Sequence, residues 1–392
     1  MYVCLSVVAF AQSDSLSVAE RNALQGFNDT IDRLAEDFVT VSLVVCDPGE
    51  VLYSTLGHAA LHLQCPTFGL DYIFSYESED IEGKVLRFLT NDLKMGMMAI
   101  EPDEFMKYYI NEQREVKEFI LNLPVEVKSE LWRMCDERMK QGMLLEYDPV
   151  KRGCAISVVH SVEDAIQSAN RMFDKSYRID YPQWGRAFNG TLREIFYNNA
   201  PYDWGLFWCM TIVGGIVDEP NLPHKEKLIC PAQLVQTWMQ SSIDGKMLIN
   251  EPAKILNEGI VKSRGVFTPL AVSILVLIVA IISFFLKIPY FDWLILIGQT
   301  LLGCLMIWLL LSPLPATGWN WLIVPFNILP ALGWYWRRYW SLPYALMILV
   351  WCVAMAGQFV WGHVLVDWAH IVLALSFAVV LFKQWYTARK AE

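Results

Sequence analysis

The sequence is poor in charged residues, and the charge that it carries is mainly acidic. Only 18% of its 392 residues are Asp, Glu, Lys or Arg, while 55% are hydrophobic. Such a chain is too apolar for an ordinary soluble protein and too charged for one buried wholly in a membrane, so two unlike parts are expected. From residue 266 onward there are six basic and three acidic residues, which leaves 25 basic and 38 acidic residues before it. An acidic globular part argues against nucleic acid as a partner, because Lys and Arg dominate binding to phosphate.

The N-terminus lacks the basic residues that usually open a secretory signal peptide. Residues 1–12 are nevertheless apolar and contain Ala9-Phe10-Ala11, which fits the small-x-small cleavage rule. We interpret residues 1–12 as the remnant of a signal peptide, with a buried N-terminal strand as the alternative. Export would place the globular part, residues 13–264, in the periplasm.

The nine cysteines show no spacing that is typical of a zinc site, so no metal is expected. Five of them are interpreted as core thiols or as members of periplasmic disulfides whose pairing stays open: Cys46, Cys65, Cys135, Cys209 and Cys230.

Long hydrophobic runs are confined to residues 265–392. Crossing the hydrocarbon core takes about 20 apolar residues. Five stretches qualify, which predicts an all-α transmembrane bundle of five helices: residues 267–286, 293–312, 319–336, 342–362 and 364–384. Pro325 and Pro330 interrupt the third stretch.

The loops between these stretches differ in charge. If the globular part is outside the cell membrane, Lys287, Arg337, Arg338 and the basic residues from Lys383 onward all fall on the cytoplasmic side, and the outer loops hold no Lys or Arg. This distribution follows the positive-inside rule. It predicts an inner-membrane protein with a cytoplasmic C-terminus.

The same topology brings five polar residues toward the outer leaflet. Polar residues at that depth are costly and often functional. Alternatively, the asparagines satisfy backbone groups freed by the two prolines, and His363 and Asp367 lie in water at a loop. The five residues are Asn320, Asn327, His363, Asp367 and His370.

Residues before 265 have mixed periodicity. Strand-like runs at 38–46, 57–64 and 71–76 follow a helical pattern at 15–36. Helical patterns return at 82–90, 102–113 and 124–141, and an extended piece at 144–148 precedes a further helix from Ala155 to Phe173. The pattern predicts an α+β domain.

Two residues of this domain are candidates for nucleophilic chemistry. Cys154 would open the last helix, where the helix dipole and free amides favour a thiolate and could hold an oxyanion. His58 lies in a strand-like run and could serve as its base. By spacing alone the pair is weak evidence, because a buried structural cysteine is the commoner case. His62 lies on the same strand face as His58, as a second polar member or as a rim residue.

Six short motifs resemble those of the Lnb family of Bacteroidota lipoprotein N-acyltransferases. They are Cys46-Asp-Pro-Gly-Glu-Val-Leu-Tyr-Ser-Thr-Leu-Gly-His-Ala-Ala-Leu61, Asp71-Tyr-Ile-Phe-Ser-Tyr76, Tyr147-Asp148 ahead of Cys154-Ala155, Asp203-Trp-Gly-Leu206, Cys230-Pro-Ala-Gln-Leu234 and Thr317-Gly-Trp-Asn320. The order of His before Cys also resembles circularly permuted papain-like folds.

The resemblance implies a permuted papain-like domain in which Cys154 is the nucleophile and His58 the base. Asp71 is the expected orienting residue and His62 its competitor. The sequence has Gly153 before the cysteine, where the family tends to have asparagine.

The implied reaction transfers an acyl chain from a phospholipid to a diacylated lipoprotein within the membrane, with no cofactor. A membrane-tethered periplasmic cysteine peptidase or cell-wall amidase is the alternative, because water or another amine can also resolve an acyl-enzyme. A non-enzymatic binding module joined to a transporter fragment is the third hypothesis.

Overall fold

The computed structural model describes residues 39–49, 52–79, 87, 90–142, 145–182, 190–201, 203–260, 265–286, 288, 290–329, 336–357 and 365–390. The signal-peptide interpretation of residues 1–12, the helix predicted at 15–36, most of that predicted at 82–90 and His363 fall outside these ranges. The domain boundary at 264/265 lies at the end of the undescribed segment 261–264 and stays a prediction.

The N-terminal part is an α+β domain, as the sequence predicted, and it contains ten described strands. They are β1 (Thr40–Cys46), β2 (His58–Cys65), β3 (Leu70–Ser78), β4 (Lys94–Ile100), β5 (Val116–Ile120), β6 (Leu145–Glu146), β7 (Ile179–Asp180), β8 (Ser242–Ile243), β9 (Lys246–Met247) and β10 (Lys254–Asn257). The predicted strands at 38–46, 57–64 and 71–76 are confirmed as β1, β2 and β3. The sequence reasoning did not identify β4, a methionine-rich strand with no β-branched residue before its last position.

The described helices longer than one turn are ten as well. They are α1 (Pro102–Asn111), α2 (Val125–Gln141), α3 (Cys154–Phe173), α4 (Leu192–Asn199), α5 (Trp204–Ile212), α6 (Pro231–Trp238), α7 (Pro269–Phe285), α8 (Phe291–Leu311), α9 (Arg337–Gly357) and α10 (Trp368–Lys390). The helices predicted at 102–113, 124–141 and 155–173 are confirmed as α1, α2 and α3.

The main sheet has seven antiparallel strands in the order β10-β5-β1-β2-β3-β4-β6. The central strand β2 alternates between its two faces, as strand geometry requires. Ala59, Leu61 and Leu63 enter the larger core beneath α2 and α3, whereas Ala60 packs with Phe105 of α1 on the other face. Both faces of β2 are therefore covered.

The C-terminal part consists of helices. Within the described residues, α8, α9 and α10 are long and apolar enough to cross a membrane, and α7 is apolar but shorter, with 17 residues. At 1.5 Å per residue α7 is about 25 Å long, near the lower limit for a span. These helices share one core, in which Ile348 of α9 and Ala374 of α10 are fully buried.

The predicted third span, which the sequence shows interrupted by two prolines, does not begin as an α-helix. Its described part, residues 319–329, has a 3-10 turn at Trp321–Ile323, followed by turns and bends, and is helical at its last residue, Leu329. Pro325 lacks an N–H and clashes with the preceding turn, so it interrupts an α-helix here. The count of five crossings stays a prediction.

Side chains of the neighbouring helices satisfy the backbone of this irregular segment. Gln299 Nε2 donates to the carbonyl of Pro325 at 2.9 Å, and Tyr344 Oη donates to the same oxygen at 3.1 Å. Trp351 Nε1 donates to the carbonyl of Trp321 at 3.0 Å. Non-helical backbone is tolerated at membrane depth when protein partners of this kind surround it.

The two parts of the chain join through the C-terminal end of α5. Asn320 Nδ2 donates to the carbonyls of Met210, Thr211 and Val213 at 3.3, 3.0 and 2.8 Å. The amide of Gly214 also donates to the carbonyl of Ala316 at 2.8 Å. Residues 316–320 are therefore held against the end of α5 by backbone groups, some of which a helix end leaves open.

A second contact joins α5 to the start of α10. The ring of His370 stacks on Phe207 with centroids 4.2 Å apart. Thr211 donates its hydroxyl to the carbonyl of Phe207, so its oxygen accepts the 2.8 Å hydrogen bond from His370 Nε2. Nδ1 of His370 lies 3.0 Å from a carboxylate oxygen of Asp367, and both side chains are buried.

Candidate active site

His58 is the first residue of β2, and a glycine-dependent turn positions it. Gly57 has φ of +86°, and a Cβ at this position would lie 2.6 Å from the carbonyl oxygen of Cys46. Any other residue would be strained by its backbone angle and would collide with β1. The conformation before His58 therefore depends on glycine.

Cys154 is the first residue of α3, as the sequence predicted. The buried carboxylate of Asp148 accepts the amides of Val150 and Lys151 at 3.0 and 2.9 Å, which folds the loop that leads into the helix. At Gly153, a Cβ would lie 2.7 Å from the carbonyl oxygen of Pro149. This loop therefore has no room for the asparagine that the family tends to have, unless the backbone shifts.

The structure brings Cys154 and His58 together. Their side chains form a hydrogen bond. Burial raises the pKa of the Cys154 thiol, but the charge of His58, its hydrogen bond and a hydrogen bond from the backbone of Ala59 outweigh burial and lower that pKa below its ordinary value. Burial lowers the pKa of His58, while the Cys154 and Glu77 charges raise it to about 9. Both effects favour a thiolate beside an imidazolium.

The other cysteines of the α+β domain with a shifted pKa move in the opposite direction. Burial raises the pKa of Cys46 and Cys230, that of Cys135 to about 12, and that of Cys209 to about 11. Arginines act on Cys46, Cys135 and Cys209, but burial outweighs them, and a thiol with a raised pKa is a poor nucleophile. Cys154 is thus chemically distinct among these residues.

Ser75 and Glu77, both on β3, hold the far side of the His58 ring. Ser75 donates its hydroxyl to Glu77 Oε1 at 2.5 Å, so its oxygen accepts the 2.7 Å hydrogen bond from His58 Nε2. Glu77 Oε1 is itself 3.5 Å from Nε2. This arrangement leaves Nδ1 as the ring nitrogen available to the Cys154 sulfur.

Asp71, the expected orienting residue, does not reach His58. Its carboxylate lies 2.6 Å from Nε2 of His62, and Nδ1 of His62 lies 2.5 Å from Glu118. The two residues weighed for the orienting role therefore bind each other. Ser75 and Glu77, which the sequence reasoning missed, take the position beside His58. The sequence pattern that could have identified them is the two-residue alternation of β3, which puts Asp71, Ser75 and Glu77 on one face of the strand.

Aromatic rings of α1 cover the His58 ring. Phe105 and Tyr109 each have a ring centroid 6.4 Å from that of His58, and the Tyr109 ring is nearly parallel to the imidazole. The guanidinium of Arg114 lies over Tyr109, 4.8 Å from its centroid. This cover screens the imidazole from water on one side, and such burial lowers the pKa of His58, against the larger raising effect of Cys154 and Glu77.

The polar residues expected near the outer leaflet are distributed over two places. Asn320 and Asp367 lie at the junction with α5, and both are buried. Asn327 lies deeper along the irregular segment, where its Nδ2 donates to the carbonyl of Val324 at 3.1 Å and its Oδ1 accepts the amide of Leu329 at 3.0 Å. None of these three is among the residues that contact His58 or Cys154 in the described part of the chain.

Comparison with known proteins gives a family for the domain that carries this site. Residues 27–184 match the family model described as the Lnb N-terminal periplasmic domain, a range that includes both His58 and Cys154 but less than half of the chain. No curated protein and no solved structure matches the chain. At the level of the family, the match supports an enzyme that modifies lipoproteins and a periplasmic location for the N-terminal domain. Residues 27–184 are therefore a domain of the Lnb family.

Proposed function

We propose that the protein is a lipoprotein N-acyltransferase. It moves an acyl chain from a phospholipid, through a thioester on Cys154, to the α-amine of a diacylglyceryl-cysteine lipoprotein. The observation that carries the proposal is the Cys154–His58 pair, with a lowered thiol pKa and a raised imidazole pKa, inside an Lnb domain that is joined to membrane-capable helices. Histidine on a strand and cysteine at a later helix start is also the arrangement of a permuted papain-like domain.

The first half of the reaction forms the thioester. The Cys154 thiolate attacks the ester carbonyl, and the oxyanion is stabilised by amides at the start of α3, which have no acceptor within the helix. The C–S bond forms, the ester C–O bond breaks, and the His58 imidazolium gives its proton to the departing oxygen. The products are acyl-Cys154, neutral His58 and a lysophospholipid.

The second half transfers the acyl chain to nitrogen. The lipoprotein amine attacks the thioester carbonyl, and neutral His58 accepts a proton from that amine. The C–N bond forms and the C–S bond breaks, which restores the thiolate and the imidazolium. In both halves Ser75 and Glu77 act as positioning residues, because they hold Nε2 of His58 and favour its charged form.

Membrane attachment fits substrates of this kind. Donor and acceptor are both lipid-anchored, and a soluble enzyme would have to extract each chain at about 0.8 kcal/mol per buried CH₂. The proposed topology places the site outside the inner membrane and the C-terminus in the cytoplasm. It is supported by the basic residues at one end of the helices, where Lys383 pairs with Asp292 at 3.0 Å, and by the contacts with α5 at the other.

The test is the mass of lipoprotein N-terminal peptides from cells with and without the protein. We expect the triacylated form only when the protein is present. Purified protein given phospholipid but no lipoprotein should carry an acyl group on Cys154 that neutral hydroxylamine removes. Release of free fatty acid without amide formation, or cleavage of a peptide or cell-wall amide, would instead indicate a hydrolase and contradict the proposal.

A further inference from the structure

The helix α5 presents a different environment along each of its four rows of residues. Leu206 and Met210 are buried, and Phe207 and Thr211 contact His370 of α10. The remaining two rows are Gly205 with Cys209 and Trp204 with Trp208. Residues four apart lie on one face of a helix, so each pair acts as a unit.

The Gly205–Cys209 row faces the candidate active site. A Cβ on Gly205 would lie 2.2 Å from Oγ1 of Thr55, in the turn that leads to His58. Cys209 packs against the larger core of the α+β domain, which contains Cys230.

The Trp204–Trp208 row is exposed although it is strongly apolar. Trp204 is 40% and Trp208 is 37% accessible, and the sequence of α5 contains no charged residue. A helix that is hydrophobic on all sides is not stable facing water. The exposed row therefore requires an apolar partner.

That row is continuous with the membrane-facing surface. Trp204 Nε1 donates to the carbonyl of Phe267 at 2.9 Å, two residues before α7 begins. Trp319 and Trp368, at the ends of the irregular segment and of α10 that contact α5, are also exposed, at 48% and 55%. Tryptophan concentrates at membrane–water interfaces because its ring is apolar and its N–H is polar.

We infer that α5 lies in the outer membrane–water interface and that its Trp204–Trp208 row binds phospholipid. The neighbouring Gly205–Cys209 row is rotated by only one residue, about 100° around the helix. A phospholipid held on the tryptophans is therefore within about one helix diameter of the turn before His58. The lipid contact stands on its own, whereas its role in presenting the donor ester to Cys154 rests on the proposed function.

The lipid contact is tested by photo-crosslinking in the full chain carrying Cys154→Ala, so that no turnover is needed. The photoreactive residue p-benzoylphenylalanine replaces Trp204, Trp208 or Phe68, one at a time, in vesicles of phosphatidylethanolamine and phosphatidylglycerol. Phe68 is the matched control, because it is 62% exposed but lies in the turn at the opposite end of β2. Phe285, 78% exposed on α7, is the positive control.

We expect lipid adducts at both tryptophan positions at roughly ten times the level at Phe68, as for aromatic residues of an interfacial belt. Adducts at Phe285 but only the Phe68 level at Trp204 and Trp208 would overturn the inference and leave the proposed reaction untouched.

The presenting role is tested with Trp208→Ser in the active protein. We expect KM for phospholipid in vesicles to rise about tenfold, since part of a tryptophan's burial is lost, while reaction with a water-soluble short-chain ester is unchanged. Equal loss with both donors would mean that Trp208 supports the fold rather than the lipid. If lipid adducts form but the protein with Cys154 intact transfers no acyl chain, the lipid-binding surface is supported and the proposed transferase reaction is contradicted.

Discussion

The reactivity of Cys154 depends on its own sulfur and on very few neighbours. We expect Cys154→Ala to remain folded and membrane-inserted while acyl transfer falls about a thousandfold or more. Cys154→Ser should be nearly as inactive, because a hydroxyl has a far higher pKa than a thiol. The measurement is conversion of diacylated to triacylated lipoprotein in vesicles. Cys304→Ser, at an exposed thiol on α8, is the control and should keep full activity.

The pH profile separates Glu77 from Asp71. The Cys154 pKa is lowered and the His58 pKa is about 9, so the thiolate and the imidazolium coexist between these two pKa values. The rate of acylation should therefore decline above about pH 9, where His58 loses its proton. The charge of Glu77 raises the His58 pKa. Glu77→Gln should therefore move the alkaline limb of kcat/KM to lower pH, measured with a soluble ester. Asp71→Asn should leave the limb in place; movement with Asp71→Asn alone would restore Asp71 as the orienting residue.

At the scale of elements, a row of charged side chains crosses the main sheet. Lys254 of β10 lies 3.6 Å from Glu118 of β5, which pairs with His62 of β2, which pairs with Asp71 of β3. Burial lowers the pKa of His62, but its bonds to Glu118 and Asp71 outweigh burial and raise it. Burial raises the pKa of Glu118, but His62 and Lys254 outweigh it and lower that pKa.

These opposite shifts define a pH window for stability. His62 contributes fully to the free energy of unfolding below its ordinary pKa of 6.5. This contribution is lost as the pH rises through the raised pKa of His62 in the folded protein. The contribution of Glu118 is present above its ordinary pKa of 4.5 and is lost as pH falls through its lowered value. The row should therefore stabilise the sheet most between these two ordinary values.

His62→Ala tests this row, because it leaves Glu118 buried without its main partner. We expect the free energy of unfolding to drop by about 3 kcal/mol, and the alkaline loss of stability to shrink, in denaturant titrations of the detergent-solubilised chain at several pH values. Asp71→Asn is the control and should cost below about 1 kcal/mol, because Asp71 is 49% exposed. An unchanged pH dependence in His62→Ala would remove this row as a source of stability.

At the scale of the whole molecule, Asn320 connects the two parts of the chain. Asn320→Ala removes an amide that donates to three carbonyls at the end of α5. We expect lipid transfer to fall and the midpoint of thermal unfolding to drop, since lost hydrogen bonds cost about 1 kcal/mol each. The rate at which iodoacetamide alkylates Cys154 should stay within about twofold of the wild-type rate, because the substitution does not touch Cys154 or His58.

Asn327→Ala is the matched control for this junction. The side chain of Asn327 binds the carbonyl of Val324 and the amide of Leu329, both within its own segment. Asn327→Ala should therefore leave acyl transfer near the wild-type level. If Asn320→Ala slows alkylation of Cys154 as strongly as it slows transfer, Asn320 supports the active site itself rather than the junction.

Topology is the second test at this scale. A reporter fused after Leu286 should read cytoplasmic and one fused near Ala316 should read periplasmic, because the basic loops are retained inside. The reverse pattern would remove Cys154 from the periplasm and contradict the proposed reaction.

The sequence alone determined the features that depend on neighbours along the chain. Alternating apolar residues predicted β1, β2 and β3, and helical periodicity predicted α1, α2 and α3, because side-chain direction repeats every two or 3.6 residues. The position of Cys154 at a helix start followed from the same pattern. Long apolar runs likewise predicted the regions of α7, α8, α9 and α10, since crossing a bilayer requires length and hydrophobicity only.

Only the tertiary structure decided which side chains meet. In the β2–β3 register Leu61 pairs with Phe74 and Gln64 with Asp71, so Asp71 lies toward the far end of β2 and Ser75 and Glu77 lie toward His58. A turn sets that register, and residue spacing does not reveal it. The irregular segment after α8 depends in the same way on Gln299, Tyr344 and Trp351, which come from distant positions to satisfy its backbone. Periodicity describes one element at a time, whereas a site and a membrane-buried turn are made by contacts between elements.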